Sequence, residues 1–137
     1  MANPIEAKEW LLSVLFESKQ NGKININGNI YIDKKPSSEN EDIVINSVTM
    51  NSDFFQMGIF NVNCYVPDLE INAGGKVQFM PNKTRLKQVT EEVYKVIKDF
   101  SVSQLYRAYV DEIRQEQEIE ENTHFMNFRI ILNAKNK

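Results

Sequence analysis

The chain has 137 residues, of which 42% are apolar and 26% charged, with a formal net charge of -3. That size and balance describe one ordinary globular domain, and the spread of acids and bases along it gives no support to a general nucleic-acid role. A single cysteine excludes an internal disulfide, and the apolar runs fall short of the ~20 residues of a membrane helix. The first residues, MANPIEAKEWLLSVLFESK, interrupt their apolar run with charges and offer no small-residue cleavage site. We therefore expect a protein made and folded in the cytoplasm, with no membrane partner.

Asn3-Pro4 reads as a helix start, a capping residue followed by the residue best suited to the first helical position. Ala7, Trp10, Leu11, Val14 and Leu15 recur at helical spacing, and Asn21-Gly22 ends the segment. KINI-NG-NIYI follows. Alternation at Ile24 and Ile26, then at Ile30 and Ile32, with Asn27-Gly28 between them predicts a two-residue hairpin; the competing reading is one longer, bulged strand.

Asp33 to Asp42 is polar, contains Pro36, and reads as an exposed, mobile loop. Ile43 to Met50 returns to β character, and Asn51-Ser52-Asp53 reads as a turn. In the next strand Phe60, Val62, Cys64 and Val66 share one face, with Asn61, Asn63 and Tyr65 on the other; Pro67 ends it. Residues 67–82 read as a second long connection with Gly74-Gly75 at a flexible tip.

Leu86, Val89, Val93, Ile97 and Phe100 then form the apolar stripe of a second helix. Residues 101–122 carry two patterns. Leu105, Tyr109 and Ile113 sit four apart, as in a helix, while Tyr106, Ala108 and Val110 alternate, as in a strand. We read a long strand that loses its core face towards its end, then a turn at Glu121-Asn122. THFMNFRIILN alternates cleanly as a last strand, with Met126, Phe128, Ile130 and Leu132 on one face. The order α-β-β-β-β-α-β-β predicts a single α+β domain over residues 1–137, a mostly antiparallel sheet with two amphipathic helices packed on it and long loops near 33–42 and 67–82.

Chemical signatures are sparse. His124 is the only histidine and lies sixty positions from Cys64, so a metal site of imidazole and thiolate type lacks ligands. Cys64 stands in register with Phe60, Val62 and Val66, which reads as a small buried hydrophobe rather than half of a Cys–His nucleophile. The acids between Asp111 and Glu121 read as a solvated face. Gly74-Gly75-Lys76 matches neither phosphate-binding glycine motif. The tyrosines, without a basic stripe, read as sheet packing rather than base stacking, so no nucleic-acid specificity is expected. No catalytic, metal or cofactor residues are assigned, and the chain is read as a non-enzyme.

The layout resembles the tail-terminator and tail-completion proteins of long-tailed bacteriophages and related neck components. The resemblance lies in a first amphipathic helix at Ile5 to Glu17, a strand ending FNVNCYVPD, a second helix TRLKQVTEEVYKVIKDF, and a closing β pair LYRAYVDEI and HFMNFRIIL. It covers nearly the whole chain by order and pattern, without a signature motif. The segments 34–42 and 68–82 are longer than that pattern. The resemblance implies a structural protein of a phage or prophage. Such proteins form rings, often hexameric, that cap the tail tube and dock it to the head, with other tail or neck proteins as partners and the virion as destination. Lys34, Lys35, Gly74, Gly75, Lys76 and Phe79, in the two long loops, are the candidate oligomer contacts. Two other readings remain open at this point. One is a ligand-binding module or enzyme with a pocket around Tyr65, Tyr106, Tyr109 and His124. The other is a dimeric regulatory partner protein.

Overall fold

The computed structural model describes residues 4–48, 57–102 and 105–134. The expected cap Asn3, the end of the strand expected over Ile43 to Met50, and the turn at Asn51-Ser52-Asp53 lie outside them. Helix α1 spans Pro4–Gln20, β1 Ile30–Ile32, β2 Asp42–Ser47, β3 Met57–Pro67, β4 Leu69–Ala73, β5 Lys76–Met80, α2 Lys83–Asp99, β6 Tyr106–Glu118 and β7 Thr123–Ala134. The α+β class expected from sequence, a mostly antiparallel sheet carrying two helices, is the class observed.

Five strands form one sheet in the order β1-β2-β3-β7-β6, parallel only between β1 and β2. Period-two alternation gives the sheet two different faces. One carries Ile43, Ile45, Phe60, Val62, Cys64, Val66, Phe128, Ile130 and Leu132, all buried. Both helices lie on this face. Ala7, Leu11 and Leu15 of α1 and Leu86, Val89, Val93, Val96 and Ile97 of α2 complete a single core cluster. Each large side chain buried there contributes roughly 1.5–3 kcal/mol of transfer free energy.

Among the described residues neither α-helix lies on the other face. Asn46, Asn61, Asn63 and Asn127 meet there in a ladder across three strands. The Asn61 amide donates to Asn46 Oδ1 at 3.0 Å, and the Asn127 amide donates to Asn63 Oδ1 at 2.6 Å and to Asn61 Oδ1 at 3.2 Å. Cross-strand pairs of this kind help to hold the register on this face, beside the Tyr65–Phe125 ring contact.

Two sequence expectations are corrected. The first is the hairpin at Asn27-Gly28. A type I′ turn needs positive φ at both central residues, and neither Asn27 nor Gly28 has it. Residues 23–29 instead form an irregular segment that buries Ile24, and only Ile30–Ile32 is strand, parallel to β2. Gly28 is required by contact rather than by φ: a Cβ there would lie 2.1 Å from Asp42 Oδ1 and 2.2 Å from the Glu41 carbonyl oxygen. Asn27 Oδ1 accepts from the Glu41 amide, and Asp42 Oδ1 accepts from the Asn29 amide. The Asn-Gly pair is spent on close packing.

The second correction is the connection 67–82, which is a regular antiparallel hairpin, β4–β5, closed by Gly74 and Gly75 at φ 60° and 80°. The two positive φ values suit a type I′ turn. The segment 33–41 is irregular, as expected, and six of its nine residues are exposed; the departures are at two residues. Asp42 is a buried residue of β2, and the Lys35 side chain is only 8% exposed.

The ambiguous region resolves as strand β6. A bulge between Val110 and Glu112 shifts its register against β7. Tyr106, Ala108 and Val110 face the helices before it, and Ile113 does so after it. The extra residue breaks the period of two and leaves a spacing that imitates a helix.

Candidate interaction surfaces

The β4–β5 hairpin leaves the sheet at the Pro67 end of β3. All ten of its residues are exposed. Paired residues share a face, so Leu69, Ile71, Ala73 and Met80 lie together with Gln78 and Lys76, and Val77 and Phe79 lie on the reverse with Glu70 and Asn72. Neither face is wholly polar. Leu69, Val77, Phe79 and Met80 are each 45–53% exposed. Among the described residues no third strand pairs with the hairpin. Isolated two-stranded hairpins are marginal in water.

Its root, in contrast, is fixed. Asp68, between β3 and β4, donates its amide to the Asn122 carbonyl at 3.0 Å. Its carboxylate lies 2.6 Å from His124 Nδ1, with both side chains nearly buried. Thr123 Oγ1 donates to the Val66 carbonyl at 2.8 Å. At the other end Asn82 caps α2, its side chain accepting from the Arg85 amide. Arg85 clamps Glu41 through two nitrogens and reaches the Asn25 carbonyl, and Glu92 accepts from both the Asn25 amide and its side chain. The Glu41 carboxylate holds the Arg85 guanidinium still more firmly in its charged form. A mobile-looking protrusion is thus anchored on both sides by charge-assisted contacts.

The candidate contact residues divide between two places. Gly74, Gly75, Lys76 and Phe79 sit on the hairpin, exposed. Lys34 is exposed on the 33–41 segment. Lys35 is turned inward, 3.8 Å from Asp42 Oδ2 and 3.5 Å from Glu121 Oε2, with its ammonium 5.0 Å above the Tyr65 ring. Its charge is used within the chain. Hydrogen bonding from Ser37, and then the Lys35 charge, hold Glu121 below the usual carboxylate range. Lys35 and Glu121 border a shallow polar hollow of about 290 Å³, with Lys34, Asn46 and Tyr65.

A second surface went unnoticed in the sequence. Beside the first half of β6, Tyr94, Ile97 and Lys98 of α2 and Ala108, Tyr109 and Val110 line an open cleft of about 290 Å³. Tyr94 and Tyr109 are 43% and 48% exposed. The only sequence signal was the exposed tyrosine interrupting each element's polar face.

Cys64 lies in the core, where burial pushes its thiol well above its ordinary pKa. The thiolate a nucleophile needs is suppressed. His124 is on the same face, opposite Val66, and bonds Asp68 rather than Cys64. No protein-family model and no curated protein matches this sequence. The tyrosines named for a pocket do not converge. Tyr106 packs on Trp10 under the helices, at 5.2 Å between ring centroids, and Tyr65 stacks on Phe125 at 4.7 Å on the opposite face. Among the described residues no helix is long and apolar enough to cross a membrane, and no cluster of three metal-binding side chains occurs.

Proposed function

We propose that this chain is a structural assembly component that works by associating with copies of itself, of the tail-terminator or head-tail joining kind found in phages and prophages. The observation that carries the self-association is the β4–β5 hairpin: firmly rooted at Asp68 and Asn82, yet exposed throughout, with apolar side chains on both faces. Exposed apolar surface held in a fixed geometry is the property of an interaction element. The phage assignment rests on the layout of helices and strands alone. In this reading the protein is made in the cytoplasm and enters the virion as a ring, with tail or neck proteins as neighbours.

Light scattering after size exclusion, across a concentration series, with negative-stain imaging of the same fractions, tests it. Discrete multimers and ring-shaped particles are expected, alone or on adding tail-tube protein from the same genome. A chain that stays monomeric in every condition would remove the reading.

A further inference from the structure

We propose that the hairpin of one copy docks on the outer edge of strand β6 in the next copy, adding β5 to the sheet and filling the cleft beside Tyr94 and Tyr109. This rests on the self-association reading and supplies its missing half, the receiving surface.

The first argument is complementarity. β6 is the last strand of the sheet. Its outer side is met near its start by Ser101 and Val102, through the Ala108 amide and a bridge at Arg107. From Val110 to Glu118 no described strand pairs with that side. An unpaired edge presents a row of amides and carbonyls ready for another strand. β5 presents the matching row, and strand addition supplies main-chain hydrogen bonds while alternate side chains enter pockets. The pocket is at hand: the cleft lined by Tyr94, Ile97, Tyr109 and Val110 abuts this edge, and Val77, Phe79 and Met80 are the exposed apolar residues of β5. The charges are opposite in sign. β5 carries Lys76 and no acid, whereas β6 carries four acids and two arginines.

The second argument is distance, and it decides the occupant. The hairpin leaves the sheet at Pro67, paired with Thr123. The cleft lies by Tyr109, which pairs with Ile131, itself opposite Ile59. Those levels are eight strand residues apart, about 26 Å at ~3.3 Å per residue. A hairpin arm of five residues spans about 17 Å and cannot fold back to its own cleft. A strand docked beside the cleft, at the Val110 end of that edge, therefore comes from a second copy. A contact between opposite ends of the molecule is head-to-tail, and it closes into a ring or runs on as a filament according to the rotation between neighbours. The hairpin is also smaller than the roughly 20–30 residues a side of a standard interface. A single contact is weak, and closure stabilises it because each copy is then held at two places.

The test is a mixed cross-link. Chains carrying Gln78→Cys are mixed with chains carrying Lys98→Cys, at exposed positions on hairpin and cleft, and treated with a short bismaleimide. The expected product joins one chain of each kind. Tyr94→Glu in the Lys98→Cys chain, or Phe79→Ser in the Gln78→Cys chain, is expected to remove it. Each is also expected to shift the association midpoint of the otherwise native protein by roughly tenfold or more, with the melting temperature of the dilute chain unchanged as the control for folding. Multimers that form normally while giving no mixed product and ignoring Tyr94→Glu would overturn the docking site and leave self-association standing. A native chain that never associates would overturn both.

Discussion

His124 Nδ1 lies 2.6 Å from Asp68 Oδ1, a contact that ties β7, the last strand of the chain, to the root of the exposed hairpin. The Asp68 side chain is 2% exposed, so removing the carboxylate leaves the imidazole without its partner in a nearly dry site. Asp68→Ala is expected to cost about 1–3 kcal/mol in urea unfolding. Amide exchange should rise most across residues 69–80. An exchange pattern unchanged in the hairpin would show that its direction is set elsewhere.

Gly28 and Gly74 make opposite demands. At Gly28 an added methyl meets the Asp42 carboxylate and the Glu41 backbone, so Gly28→Ala is expected to destabilise the fold by at least about 1–3 kcal/mol. At Gly74 there is open space and only the left-handed backbone to satisfy, so Gly74→Ala should strain the hairpin by about 1–2 kcal/mol and leave global unfolding nearly unchanged. Equal global effects from the two would contradict this division.

Cys64 should behave as a core methylene with a sulfur in it. Its thiol is buried and held protonated, so iodoacetamide at neutral pH is expected to label it only as fast as the chain opens. Cys64→Ser places a hydroxyl among Phe60, Val62 and Val66 and should cost about 1–3 kcal/mol. Rapid labelling of the folded chain would restore the case for a reactive thiol.

Acid should loosen the 33–41 segment. Ser37 and Lys35 lower the Glu121 pKa from its ordinary 4.5 in the folded chain. A group with a depressed folded pKa stabilises above the unfolded value, and that contribution is lost as pH falls through the folded one. Between neutral pH and about 5 the segment should be insensitive; below about 4.5 its exchange should rise, and Glu121→Gln should abolish that acid step. An acid step that persists in Glu121→Gln would place its origin in another carboxylate.

Much of the architecture was legible because it follows from periodicity. The stripes of α1 and α2, and the rows Phe60-Val62-Cys64-Val66 and Met126-Phe128-Ile130-Leu132, read directly because one face of each element is buried and the other is not. The β6 bulge blurred its own strand by inserting one residue into that period. The turns were less legible. Asn27-Gly28 carried the stronger local signal and Gly74-Gly75 the weaker, yet the second pair makes the hairpin. At Asn27-Gly28 the tertiary contact with Glu41 and Asp42 outweighs the turn preference.

Among the candidate contacts, Lys35 shows the same limit. Composition placed it on an exposed loop, and only the approach of Asp42, Glu121 and Tyr65 from distant parts of the chain turned it inward. The cleft at Tyr94 and Tyr109 was illegible for the matching reason, since its two walls are separate elements that meet only in the folded molecule. The sequence by itself determined both helices, the strands β2, β3, β6 and β7 with their buried faces, and the α+β class, because burial writes its period into an element with one face in the core. Only the tertiary structure decided the strand order, the hairpin's exposure and the open edge of β6, because those depend on which distant surfaces meet and which are left unmet.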